Sequence, residues 1–124
     1  MANVTIQPRV REPWVLENPL LGERFGARKM AGGMTVELVD SVIEPQSPPG
    51  VPSVTWELRY DVSRAALGTL IAGGTTTSTT TGDVAVITDP DIPAGVWVWL
   101  VITAATTLLN RPSEISIQMI GQAK

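Results

Sequence analysis

Residues 54–62 read VTWELRYDV and alternate without a phase error. Val54, Trp56, Leu58, Tyr60 and Val62 fall on one side, and Thr55, Glu57, Arg59 and Asp61 on the other. A period of two is strand geometry, because successive side chains point to opposite faces. One apolar face and one charged face describe an antiparallel strand with a wet side, since parallel strands are covered on both faces. The apolar side of such a strand needs a second layer to cover it. The chain has 124 residues in which to build that layer, enough for one ordinary domain.

The remainder reads as more short strands. Ten prolines and eleven glycines punctuate it, which argues against long helices. MTVELVDSVIE (34–44) is a strand whose phase breaks at Val39, predicting a bulge near Asp40. PQSPPGVPS (45–53) is a stiff loop. SRAALGTLIAGG (63–74) holds a turn and a short strand around 69–72. TTTSTTTG (75–82) is β-branched enough for a strand and polar enough for an exposed loop. DVAVITD (83–89) is strand-like, PDIPAG (90–95) is a turn, and VWVWLVITA (96–104) and SEISIQMIG (113–121) are the last two strands. Seven or eight short strands between Pro/Gly turns predict an all-β chain, a single antiparallel β-sandwich or jelly roll over residues 35–124.

Residues 92–109 form an uncharged run of 18. A membrane helix needs about 20 predominantly apolar residues. This run opens on a Pro-x-Gly turn and is rich in β-branched and aromatic residues, so it is assigned to a strand, with no membrane partner. Val96, Val98, Leu100 and Ile102 then share one face, and Trp97, Trp99, Val101 and Thr103 the other. The first face is expected in the core. The second should be sealed by residues 1–34 or by another subunit.

Residues 1–34 keep neither period. Pro8, Pro13 and Pro19 and then four glycines interrupt them, while apolar anchors recur. The pattern predicts an extended N-terminal arm lying on a neighbouring protein, with room for one helical turn around 19–29. The opening MANVTIQPRVREPW lacks an apolar h-region, so no secretory signal is expected. Residues 1–29 hold five basic and three acidic residues, for +2, and residues 30–124 hold four basic and nine acidic, for −5. That suits docking on an acidic surface and is too weakly basic for a nucleic-acid arm. Interface anchors are expected at Arg9, Arg11, Trp14, Leu16, Leu20 and Phe25, with Trp97 and Trp99 at a subunit or capsid contact, since aromatics and arginine dominate interface energetics.

Sites of chemistry are hard to assemble from these residues. The chain has no cysteine and no histidine, which removes thiolates and the commonest acid–base group and metal ligand. Asp83, Asp89 and Asp91 do not follow the spacing of an oxygen-ligand loop and suit turns. Glu57 and Asp61 flank Arg59 on one strand face, as cross-strand charge pairs do. Ser63 and Ser78 have no histidine to activate them, and the only lysines are Lys29 and Lys124. The Asn-Val-Thr sequon at 3–5 has no meaning without a secretory route. The expectation is no enzyme, no cofactor and no metal.

The segment 54–104 resembles a β-sandwich module that recurs in virion proteins of tailed bacteriophages, in small head-decoration or head-fibre proteins and at tail-fibre ends. Three features carry the resemblance. Trp56, Leu58, Arg59 and Tyr60 match a W-x-[LI]-R-Y strand. Ser63, Arg64 and Gly68 match the polar turn after it, and Gly73 and Gly74 open a Thr-rich segment. Asp89, Pro90, Ile92, Pro93, Ala94, Gly95, Trp97, Val98, Trp99, Leu100, Thr103 and Ala104 match a [NDT]-P-x-IPA-[GN]-x-x-VWL-x-x-T-A stretch. After Ala104 the chain departs from the module: TTLLNRPSEISIQMI stands where a short Ser-Gly turn and an ELHVTI-like strand are usual. The resemblance implies a virion structural protein that decorates or cements the capsid, assembled in the host cytoplasm. Its partners would be the major capsid protein and further copies of itself, a trimer by analogy. A tail, baseplate or fibre component, or a glycan-binding module stacking sugars on Trp97 and Trp99, are the alternatives.

Overall fold

The computed structural model describes residues 9–17, 19, 22, 24–44, 53–77, 83–105 and 114–124. The described residues contain ten strands and no helix. The strands are β1 (Arg9–Glu17), β2 (Arg24–Met30), β3 (Met34–Glu44), β4 (Ser53–Asp61), β5 (Thr69–Thr77), β6 (Asp83–Val84), β7 (Val86–Ile87), β8 (Asp91–Ile92), β9 (Val96–Ala105) and β10 (Glu114–Ala123). They make two antiparallel sheets, the predicted β-sandwich. The first runs β1-β10-β3-β6, with β8 also on β3, and the second runs β2-β9-β4-β5-β7.

The alternation read in 54–62 is what the core uses. Val54, Trp56 and Leu58 are fully or almost fully buried and lie in register with Ala105, Ile102 and Leu100 of the neighbouring strand. Trp14, Leu16, Val39, Ile43, Ile115, Ile117 and Met119 cover them from the first sheet. One polar relay lies inside. The Trp56 indole N–H donates to the Thr76 hydroxyl at 2.8 Å, Thr76 and Ser41 hydroxyls meet at 2.5 Å, and Ser41 donates to the Asp83 carbonyl at 3.2 Å. Every member has a partner, as a buried polar group requires.

The short strands β6 to β8 close one side of the sandwich. β6 and β8 pair with β3 of the first sheet, while β7 pairs with β5 of the second. Extra bonds tie the same segment to both layers, from Ala85 N–H to the Val39 carbonyl and from Thr88 N–H to the Ile71 carbonyl.

Four expectations are corrected here. First, residues 9–17 and 24–30 are not a free arm. β1 pairs with β10 along its whole length, β2 pairs with β9, and the Gly22 N–H donates to the Ile102 carbonyl. Their apolar anchors pack in the chain's own core, with Trp14, Leu16 and Met30 buried and Phe25 against them. Second, the helical turn considered for 19–29 gives way to β2 over 24–30. Third, the bulge in β3 falls at Glu37, where the register with β10 shifts between Leu38 and Val36, and not at Asp40. Fourth, Val62 lies beyond the end of β4 and is 76% exposed. The Asp61 carboxylate accepts the Ser63 N–H at 3.0 Å, a local turn that ends the strand before Val62 can enter the core.

Candidate functional site

The eight predicted contact residues do not form one site. Arg9 and Arg11 lie on the outer face of the first sheet, where Arg9 pairs with Glu37 at 3.1 Å. Trp14 and Leu16 are buried between the sheets, and Phe25 is half-buried against the same core. Leu20 lies outside the described residues. Trp97 and Trp99 lie on the outer face of the second sheet, opposite the core face of β9.

Trp14 laces the two edge strands together. Its indole N–H donates to the Gly26 carbonyl at 2.9 Å, and the Arg28 guanidinium sits 4.5 Å over its ring. Arg28 in turn pairs with Glu12 at 2.9 Å and donates to the Pro13 carbonyl. Gly26 has φ 68°, and a Cβ there would stand 2.6 Å from the Trp14 ring. Only glycine takes this conformation freely and leaves room for the indole. Trp14 is therefore unavailable as an anchor on a neighbouring protein.

On the outer face of the second sheet, the segment 62–68 folds back over β9. Gly68, with φ 84°, lies so close that a Cβ would stand 2.8 Å from the Trp99 ring. Arg24 reaches across from β2, donates to the Arg64 carbonyl at 2.8 Å and lies 5.2 Å over the Trp99 ring. Arg59 donates to the Gly68 carbonyl at 2.9 Å and pairs with Glu57 at 2.7 Å. The Arg64 guanidinium covers the Trp97 ring at 4.8 Å. Trp99 is buried by this cover, with its indole N–H unpaired, while Trp97 is half-buried. The chain itself thus supplies the seal expected from an arm or a neighbour, in part through Arg24 of the N-terminal segment.

Sequence reasoning passed over Arg24, Arg64 and the 62–68 segment as contributors. The exposed Val62 and Leu67, 76% and 72% exposed, mark that segment as an outward-facing surface. A charged residue covering an indole leaves no local pattern to read, because Arg24 and Trp99 meet only through strand pairing.

Elsewhere the candidate ligand groups are occupied by structure. The Asp89 carboxylate accepts the Tyr60 hydroxyl at 2.8 Å and the Asp91 N–H at 3.0 Å. The first of these bonds, then burial, raises the Tyr60 phenol above its ordinary value. Asp83 accepts the Thr77 N–H at 3.0 Å. Among the described residues, no three Asp, Glu, His or Cys converge as a metal site. A pocket of about 140 Å³ lies beside β5 and β6, lined by Ser41, Trp56, Gly73, Thr76 and Val84 among others. Its polar lining includes the relay residues Ser41, Trp56, Thr76 and Asp83, together with Thr75, whose hydroxyl meets that of Thr55 at 2.8 Å. No helix of the described residues is long and apolar enough to cross a membrane. Compared with known proteins, the chain matches no family model and no curated protein.

Proposed function

We propose that this chain is a non-catalytic structural module of a tailed-bacteriophage particle, a decoration protein that binds the major capsid protein on the capsid surface. The observation that carries the reading is the coupling among the residues of the resemblance. Trp56 stands in the core, Arg59 holds the Gly68 carbonyl, Gly68 roofs Trp99, and Tyr60 binds Asp89. Residues scattered over 54–104 thus act as one packed unit, as the signature of a module should.

Residues 9–17 and 24–30 are strands of the sandwich, and capsid contact is assigned to the outer faces of the sheets. A protein that binds the assembled shell and not its free parts shifts the equilibrium toward the shell. Many copies in symmetric array multiply a modest contact energy. The glycan-binding alternative gains no support, because guanidinium groups lie over the Trp97 and Trp99 rings where a sugar would stack.

The test is a mass-spectrometric count of copies in purified particles from a lysate that contains the chain. Hundreds of copies per particle are expected for head decoration. A dozen or fewer moves the module to the tail, and absence from particles overturns the proposal.

A further inference from the structure

The two outer faces of the sandwich differ in charge. On the first sheet, Arg9 and Glu37 pair, leaving Arg11 against Glu17, Asp40 and Glu114, an acidic surplus. On the second sheet, Arg59 and Glu57 pair, leaving Arg24, Lys29 and Arg64 against Asp61, a basic surplus. Both faces also expose apolar side chains. Val15 and Val84 stand on the first, at 51% and 71% exposure, beside the half-buried Leu38 and Val42. Val62 and Leu67 stand over the second, and Val86 lies on it in register with Gly73. All five exposed large hydrophobic residues among those described therefore lie on these two faces.

We infer that copies of this chain associate head to tail, the basic face of one sandwich on the acidic face of the next. Opposite charge around apolar contacts is the complementarity that steers and registers an interface. A two-fold contact would set basic face on basic face or acidic on acidic, at a cost in repulsion. Because the two faces lie on opposite sides of the sandwich, each copy keeps one face free after binding. Such a heterologous contact propagates until rotation closes a ring, or continues as a filament. The inference does not depend on the capsid reading and is tested without any particle.

The test uses the full chain and two charge-reversed variants. One carries Glu17→Lys and Glu114→Lys on the acidic face, the other Lys29→Glu and Arg64→Glu on the basic face. Light scattering after size exclusion should show a wild-type mass that rises with concentration and falls with added salt. Each variant alone should be a monomer. An equimolar mixture should associate again, since the intact basic face of one variant meets the intact acidic face of the other and the two reversed faces are once more opposite in charge. Circular dichroism checks that the variants keep their β spectrum. Leu67→Ser and Val15→Ser supply uncharged counterparts and should each weaken association. A wild-type chain that is monomeric at every concentration overturns the inference and leaves the faces to a different protein. A reversed variant that keeps the wild-type mass, or a mixture that stays monomeric, overturns it as well.

Discussion

Replacing Trp14 with alanine should unfold much of the margin by which this sandwich is stable. Trp14 is fully buried, with 0% of its surface exposed, and its neighbour Val15 is 51% exposed on the opposite face of the same strand. Truncating a buried tryptophan costs about 3–5 kcal/mol through lost transfer energy and the cavity left behind. Domains of this size are stable by roughly 5–15 kcal/mol, so one substitution takes a large fraction. The loss also strands other groups. The Gly26 carbonyl loses its indole donor, and Arg28 loses the ring beneath it.

Urea unfolding followed by far-ultraviolet circular dichroism measures the effect. Trp14→Ala should move the midpoint far down with little change in slope, because the slope follows the area exposed on unfolding. Trp14→Phe keeps an aromatic ring and removes the N–H, and should cost about 0.5–1.5 kcal/mol beyond its repacking. Val15→Ala is the control and should stay within about 0.5 kcal/mol of wild type. A Trp14→Ala protein as stable as the Val15→Ala control would refute the placement of β1 on its own sandwich and restore the free arm.

Three further outcomes follow from single contacts. Gly121→Ala should destabilise by at least about 1–3 kcal/mol in thermal unfolding, because its Cβ would stand 2.0 Å from the Thr35 carbonyl oxygen at the β3–β10 bulge. Thr76→Val should cost about 1–3 kcal/mol by the same measurement, since it leaves the Trp56 N–H and the Ser41 hydroxyl without their shared partner. Tyr60 is the sole tyrosine, so phenolate absorbance reports it alone and should titrate above 10.0, its ordinary value. The raised value means that the folded state favours the neutral phenol. Its contribution to stability is present below pH 10.0 and is lost as pH rises through the folded-state value, and Tyr60→Phe should abolish that loss.

How much of this was legible depended on whether a strand keeps its period. β4 and the core face of β9 are regular, and their alternation was read correctly from Val54 to Leu58 and from Val96 to Ile102. β1 hides the same alternation. Val10, Trp14 and Leu16 turn inward, but Pro13 and the exposed Val15 interrupt the polar positions, so WVL reads as an apolar cluster. Proline suits this strand because an edge position leaves one side of the backbone unpaired. β2 is harder still. The register shift between Phe25 and Arg28 places Phe25 and Met30 on the same side at an odd spacing, which no period-of-two reading finds. The cover over Trp99 was invisible for a different reason. Its parts, Arg24 and Gly68, are distant in sequence and are brought together only by the β2-β9-β4 pairing.

The charge imbalance along the chain is redistributed by this same topology. As a linear segment, residues 1–29 are basic, and that suggested an arm for an acidic surface. Folding divides the segment between two sheets. β1 places Arg9 and Arg11 on a face where Glu17, Glu37, Asp40 and Glu114 outnumber them. β2 places Arg24 and Lys29 on the opposite face, beside Arg64, the Arg59–Glu57 pair and Asp61. A sequence-level block has become a difference between two surfaces. The residues between 24 and 29 carry two roles at once: they form the edge of the second sheet and they supply Arg24 and Lys29, half of the basic residues on its outer face. Removing them to test an arm would therefore expose β9 and erase the basic face together, so loss of binding by a truncated chain would not distinguish the two. Lys29→Glu changes the face and leaves the β2–β9 pairing in place, because that pairing is made by the backbone. Point reversal of charge, not truncation, is the perturbation that separates the fold of this segment from its use.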